Sequence, residues 1–214
     1  MFEIDIKNKL INLIAKRNSG KSYLLKYLVK IQKHEFEKIF IICPTEIIND
    51  FYKDITNEEC IFSEYNEQWT QTLIEKMTNI NSKLDKTKRK NVLLILDDLV
   101  ADINFASCKS LRILAIRGRH LGISIITTSQ YINTIPPVIR SNCDLTIVGN
   151  LNRRSLDLLE QEYNTTLEKK RFHELYVNST KDYNFLCINN NSVKNNTQLN
   201  TIYGILKTPK EEFL

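Results

Sequence analysis

The chain has 214 residues, of which 42% are hydrophobic and 26% charged, with a formal net charge of +5. These are the proportions of a soluble globular domain and argue against a disordered, collagen-like or membrane-spanning chain, since the longest apolar runs fall far short of the roughly 20 residues that cross a bilayer. The mild positive charge permits a polyanionic partner without requiring one.

Glu3 and Asp5 interrupt the first nine residues, so no secretion signal is expected there and the protein is expected to stay inside the cell. An apolar run at 11–15 passes directly into 16–19 and then into an amphipathic stretch at 21–32, which predicts strand, loop and helix. A second strand is expected at 38–43, stopped by Pro44. Residues 49–65 are polar and mixed, with a weak strand at 60–62. Helical spacing of Trp69, Leu73, Ile74 and Met77 predicts a helix over 67–84 with those side chains inward. Lys83, Lys86, Lys88, Arg89 and Lys90 form a basic connector into the strongest strand, 91–98.

A helix is expected over 107–116, with Leu111, Leu114 and Ala115 inward and Gly118 as its stop. The strand at 121–128 closes on Ser129 and Gln130. Pro136 and Pro137 break the next segment, followed by a strand at 144–148, a helix at about 152–161, a short helix at 167–176 and a late strand at 183–188. Residues 189–200 are so polar that a mobile loop is expected. Alternation of short apolar runs with helical patterns predicts an α/β fold around a mostly parallel sheet. No repeat or linker divides the chain, so one domain is expected over 1–214, with a core at about 8–150. Five cysteines without a C-x-x-C pair, and three histidines without ligand spacing, predict free buried thiols and no structural zinc. Any metal here should be a hard ion held by carboxylate.

The most specific motif is Ala15-Lys16-Arg17-Asn18-Ser19-Gly20-Lys21-Ser22, which fits G-x-x-x-x-G-K-[ST] except at Ala15. A tight loop between strand and helix aims successive backbone N–H groups and the positive helix end at phosphate oxygens. Lys21 reaches the β and γ phosphates, and the Ser22 hydroxyl ligates Mg²⁺. Arg17, Asn18, Ser19, Gly20, Lys21 and Ser22 are therefore the candidate ATP-binding residues. The tripeptide Gly-Lys-Ser alone proves little; its place after a strand and at the start of a helix supplies the weight.

The strand ending in Asp97-Asp98 supplies the second element. Beside a phosphate loop it reads as a Walker B site, with Asp97 in the Mg²⁺ shell and Asp98 orienting and polarising the attacking water. Gln130 ends the strand that follows, where open α/β sheets gather ligands, and is a candidate to sense the γ-phosphate or hold that water. Arg117 and Arg119 precede the same strand at its amino end, across the sheet from the subunit's own phosphates. An arginine there can serve a neighbour's site in a ring, or simply favour the negative end of its helix. Arg17 and Arg140 are lesser candidates for phosphate contact.

In this order the motifs at 15–22, 93–98 and 118–130 resemble the FtsK–HerA superfamily of P-loop ATPases. With Ile135-Pro136 and 139–142 they look most like the poxvirus A32-like genome-packaging ATPases of large double-stranded DNA viruses and virophages. The likeness covers about 11–148. It implies a P-loop NTPase fold of the additional-strand, RecA-like type, ATP and Mg²⁺ at the site, and Arg119 as the finger acting in trans. It also implies a homo-oligomeric ring that threads double-stranded DNA, capsid or vertex proteins as further partners, and work in viral factories and virions. This chain departs from the pattern at Ala15 and at Asp98, where many members have Glu.

The runs Lys83 to Lys90 and Lys169 to Arg171 could each face DNA phosphates or simply solvent. No helix-turn-helix or zinc module is evident, so contact with DNA is expected to be nonspecific. Two other readings share parts of the pattern. A small P-loop phosphotransferase would need an arginine-rich lid, which is not evident. A nucleotide-dependent DNA-binding scaffold without turnover is suggested only by Ala15.

Overall fold

Apolar runs with no polar alternation become strands covered on both faces. In a computed structural model, which describes residues 4–45, 51–99, 107–164, 166–192 and 199–208, β1 (Leu10–Ile14) and β4 (Val92–Asp97) are buried at every position. With β2 (Lys38–Ile42), β3 (Ile61–Phe62), β5 (Ile123–Ser129), β6 (Leu145–Val148), β7 (Phe185–Asn189) and β8 (Tyr203–Leu206) they form one eight-stranded sheet. Its order is β3-β2-β4-β5-β1-β6-β7-β8. The first six strands are parallel, and β7 and β8 continue the sheet antiparallel. β5 lies between β1 and β4, which is the additional-strand arrangement expected from the sequence.

The helices are α1 (Lys21–Gln32), α2 (Glu67–Asn81), α3 (Lys109–Leu121), α4 (Pro137–Asn142), α5 (Arg153–Tyr163), α6 (Lys169–Ser179) and the single turn α7 (Leu199–Ile202). Right-handed crossovers decide which face the helices between parallel strands cover. The β1-to-β2 connection moves toward the β3 edge, whereas β3-to-β4, β4-to-β5 and β5-to-β6 all move the other way. α1 therefore packs on one face through Leu24, Leu25, Leu28 and Val29. The opposite face takes Leu73 and Met77 of α2, Leu111 and Leu114 of α3, Ile139 of α4, Leu159 of α5 and Phe172 of α6. Local chemistry starts two of these helices: the Asn66 side chain accepts the Trp69 N–H at 2.8 Å, and Asn152 accepts that of Ser155 at 2.7 Å.

Several expectations need correction. α3 does not stop at Gly118 but runs on to Leu121. Gly118 is buried where the helix crosses β5, and the left-handed end residue is Gly122, at φ 76°. Pro137 opens α4 at its first position, where a missing N–H costs nothing, and so does more than break a segment. The polar stretch read as a mobile loop ends in α7 and leads into β8, an unexpected eighth strand with too few residues to show a period; residues 193–198 lie outside the described residues. So do 49 and 50, whereas Tyr52 and Ile55 of the same polar stretch are buried. Four of the five cysteines are buried, and none of the five is in a disulfide.

Buried Asn81 ties the end of α2 to the start of β4 and the end of α3. Its amide donates to the Lys90 and Leu121 carbonyls, each at 2.9 Å, and accepts the Lys90 N–H at 2.8 Å. Asn81→Ala leaves these backbone groups unpaired and is expected to lower unfolding free energy by about 3 kcal/mol. Urea denaturation checks this, and a loss indistinguishable from zero would contradict it.

Candidate functional site

Three neighbouring parallel strands end at one edge, and each end carries one element of the sequence pattern. Ile14 pairs with Ser129 and Asp97 with Thr128, so the loop after β1, the acidic pair after β4 and Gln130 after β5 share that edge. The loop enters between two strand ends: the Ala15 N–H donates to the Ser129 carbonyl at 3.1 Å and the Lys16 N–H to the Asn150 carbonyl at 2.9 Å. Lys16, Arg17 and Asn18 are exposed, and Ser19 to Ser22 are half-buried. Gly20 caps α1 at φ 78°, a conformation that suits glycine, and no side chain caps the helix. The first helical bond runs from the Leu24 N–H to the Gly20 carbonyl at 2.9 Å, which leaves the N–H groups of Lys21, Ser22 and Tyr23 aimed out of the helix end. No acidic residue lies in that first turn to oppose an anion.

Ala15 is accommodated by packing. Its methyl group is fully buried, and a Cβ placed on neighbouring Gly149 would lie 2.9 Å from it and 2.7 Å from the Phe185 ring. The absence of a side chain on Gly149 leaves the room that the Ala15 methyl occupies.

Asp97 is buried at 8% exposure and held from three sides. The Thr128 hydroxyl donates to one carboxylate oxygen. The Tyr52 hydroxyl donates to the other at 2.7 Å, and the Cys43 thiol lies 3.5 Å from it. Asp98 leaves the strand in a left-handed conformation at φ 53°. Its N–H donates to the Thr128 hydroxyl at 3.1 Å, and its carboxylate accepts the Gln130 amide at 3.0 Å. The two adjacent acids thus have different environments, one buried and fixed, the other at the mouth and paired with Gln130.

Among the described residues no group of three or more His, Cys, Asp or Glu side chains is placed to hold a metal. Mg²⁺ is satisfied by one or two protein oxygens together with waters and phosphates. Ser22 and Asp97 are hard oxygen donors of the right kind.

The arginines lie elsewhere. Arg119, in the last turn of α3, donates from Nη1 to buried Asp144 at 3.1 Å, and Asp144 also accepts the Leu10 N–H at 2.8 Å. Leu10 begins β1, so Arg119 sits at the amino edge, opposite the phosphate loop, as expected. Its side chain remains 48% exposed. Arg117 is exposed on the same helix. Arg140 is engaged away from the loop, with its Nε 2.9 Å from Glu162 and its Nη1 donating to the Ile135 carbonyl at 2.8 Å. Thr128, Tyr52 and Cys43 escaped sequence reasoning. Thr128 could have been found from its register opposite Asp97, whereas Tyr52 comes from a polar stretch with no period to mark it.

Fold and site together define a P-loop NTPase of the additional-strand type. The chain belongs to the Poxvirus A32 protein family, whose model matches residues 5–205. It is 29% identical over 195 residues to protein 075L of Invertebrate iridescent virus 6, covering 90% of this chain and 75% of that protein. To protein 015R of Frog virus 3 it is 23% identical over 198 residues, covering 91% of this chain but only 60% of the relative. In fold it is similar to B204, the DNA-packaging ATPase from Sulfolobus Turreted Icosahedral Virus. There the TM-score is 0.64 at 20% identity, over 96% of this chain and all of that one. B204 of the related virus 2 has been seen with AMP, AMPPCP and ATP-gammaS. Among the described residues no helix is long and apolar enough to cross a membrane.

Burial, and then the charge of Asp97, push the Cys43 thiol from its ordinary 9.0 up to about 11. It is therefore a neutral neighbour of Asp97 at physiological pH. The unfolded thiol ionises above 9 while the folded one does not, so this group's contribution to stability is full below 9 and is lost as pH rises toward 11. The slope is at most about 1.4 kcal/mol per pH unit. Urea denaturation from pH about 8 to about 10.5 should show a shallower decline for Cys43→Ser than for the unaltered chain; equal declines would contradict the assignment.

Proposed function

We propose that the protein is a Mg²⁺-dependent ATPase that drives double-stranded DNA into a viral capsid, working inside the infected cell as a homo-oligomeric ring. The observation that carries the catalytic part is the convergence of the phosphate loop, the Asp97-Asp98 pair and Gln130 at the ends of β1, β4 and β5. The packaging part rests on family membership and on B204, whose fold the chain shares.

In this reading the N–H groups at the start of α1 and the loop residues Arg17, Asn18, Ser19 and Gly20 cradle the phosphates, and Lys21 neutralises the β and γ groups. Ser22 and Asp97 hold Mg²⁺, which supplies charge neutralisation on the phosphate oxygens. Thr128 and Tyr52 keep Asp97 at a fixed angle, so its geometry does not have to be reorganised during the reaction. Asp98 orients the lytic water and polarises it. Its carboxylate accepts the Gln130 amide. A γ-phosphate that draws the amide away frees the carboxylate for water, which couples sensing to hydrolysis through a single hydrogen bond.

Arg119 supplies transition-state charge to the neighbouring subunit's site. Its bond to Asp144 fixes the root of the guanidinium while half of the side chain stays exposed for that contact. Arg117 is the alternative on the same helix. The basic run Lys83 to Lys90 is exposed at the same amino edge, just before β4, and offers point charges to a duplex backbone. Both runs carry acidic partners, Lys90 at 2.5 Å from Glu37 and Lys169 at 3.5 Å from Asp157 and 3.6 Å from Glu160, so both are candidates for the duplex backbone. The ATPase domain spans 1–214, with its core at about 8–150.

Three substitutions separate the roles by ATP hydrolysis and ATP binding. Lys21→Ala should abolish both. Asp98→Asn should keep binding and lower turnover at least about a hundredfold, as expected for loss of a group that acts on the water. Arg119→Ala should lower hydrolysis only at protein concentrations where the ring forms, with the melting curve recorded to separate loss of the bond to buried Asp144 from loss of the finger. Full activity of assembled Arg119→Ala would remove it from the site.

A further inference from the structure

Beside the phosphate loop lies a cavity of about 590 Å³ that the catalytic reading leaves unused. This is the size of small-molecule sites, which run from about 300 to 1,000 Å³. Asn18 and Ser19 of the loop line one side, Leu151 after β6 another, and Val177 of α6 and Tyr183 before β7 add apolar surface to a lining that is otherwise mostly polar and includes Lys181 and Asp182. Tyr183 and Val177 are, at 65% and 51%, the two most exposed large hydrophobic side chains among the described residues. Both open into this one cavity. Apolar surface concentrated at a single concave place marks a binding site more often than scattered exposure does.

The Tyr183 backbone reinforces the point. Asp182 and Tyr183 are consecutive left-handed residues, at φ 53° and 59°, a conformation rare for tyrosine. The turn is held by the Asn184 N–H, which donates to the Lys181 carbonyl at 2.9 Å, and by the Thr208 hydroxyl, which donates to the Tyr183 carbonyl. A Cβ on Gly20 would lie 3.6 Å from the Tyr183 ring. The turn thus places the ring beside the loop while most of its surface faces solvent.

The polarity of the site decides what fits. Asp98 and Gln130 lie on the β4–β5 side of β1, so the γ end of a bound triphosphate points that way. The cavity lies on the β6–β7 side, where the other end of the nucleotide must leave the loop. We propose that Tyr183, with Val177 and Leu151, is the shelf on which the base of the nucleotide stacks, an inference that rests on the nucleotide-binding reading given above. The shelf binds the base through its face, as aromatic side chains hold bases generally.

Titration calorimetry on the full chain with ATP and with inorganic tripolyphosphate, which has no base, tests this. Tyr183→Ala should weaken ATP binding about tenfold, the effect expected from one lost stacking partner. Tyr183→Phe should bind ATP like the unaltered chain, and tripolyphosphate should bind the unaltered chain and Tyr183→Ala equally. ATP binding unchanged in Tyr183→Ala would overturn the assignment, and so would equal weakening of ATP and tripolyphosphate, which would make Tyr183 a support for the loop. If the unaltered chain bound neither compound in a Lys21-dependent way, the nucleotide reading itself would fall.

Discussion

The parallel pairing of β4, β5 and β1 is the constraint on which everything else depends. Each strand is buried on both faces, so a slip of one residue would exchange its two sets of side chains and break packing against both helical layers. That register places Asp97 opposite Thr128 and Ile14 opposite Ser129, and it makes the loop, the carboxylates and the glutamine neighbours. Hydrophobic burial thus fixes the geometry of a polar edge.

Around that edge, the chain holds its charges by local hydrogen bonds. Asp97 is buried yet satisfied by hydroxyl donors, and burial keeps the thiol beside it neutral. Asp98 and Tyr183 both take left-handed conformations beside the loop, the first presenting a carboxylate and the second a ring. Backbone strain of this sort persists only where neighbours over-determine it, and here Thr128 and Thr208 do so. At the opposite edge, the Arg119–Asp144 pair is anchored by the β1 amide of Leu10, which links the start of the phosphate-loop strand to the residue proposed to serve the next subunit.

Much of this was legible in the sequence because the strands are apolar throughout and the motifs sit at their ends. The parallel α/β class, the strand after 91 and the helix after Gly20 follow from residue type and period alone. Elements set by long-range packing were not legible. β8 is four residues long and pairs only with β7, so no pattern distinguishes it from a loop. Gly118 looked like a helix stop because glycine serves both as a terminator and as a small residue for close approach, and only the packing against β5 separates the two. Tyr52 reaches Asp97 from a polar segment, and Tyr183 stands in the sequence as no more than the first residue of an apolar run. In both cases the function of the side chain comes from where the chain turns, which periodicity does not encode.

The central claim, that a ring-forming motor works on DNA, is tested most directly by steady-state ATP hydrolysis with and without nonspecific double-stranded DNA at low salt, over a range of protein concentrations and with Lys21→Ala as the blank. The account predicts a rate that DNA increases and that climbs more than proportionally with protein concentration, because neighbours complete one another's sites. A rate indifferent to DNA and strictly proportional to concentration would contradict it.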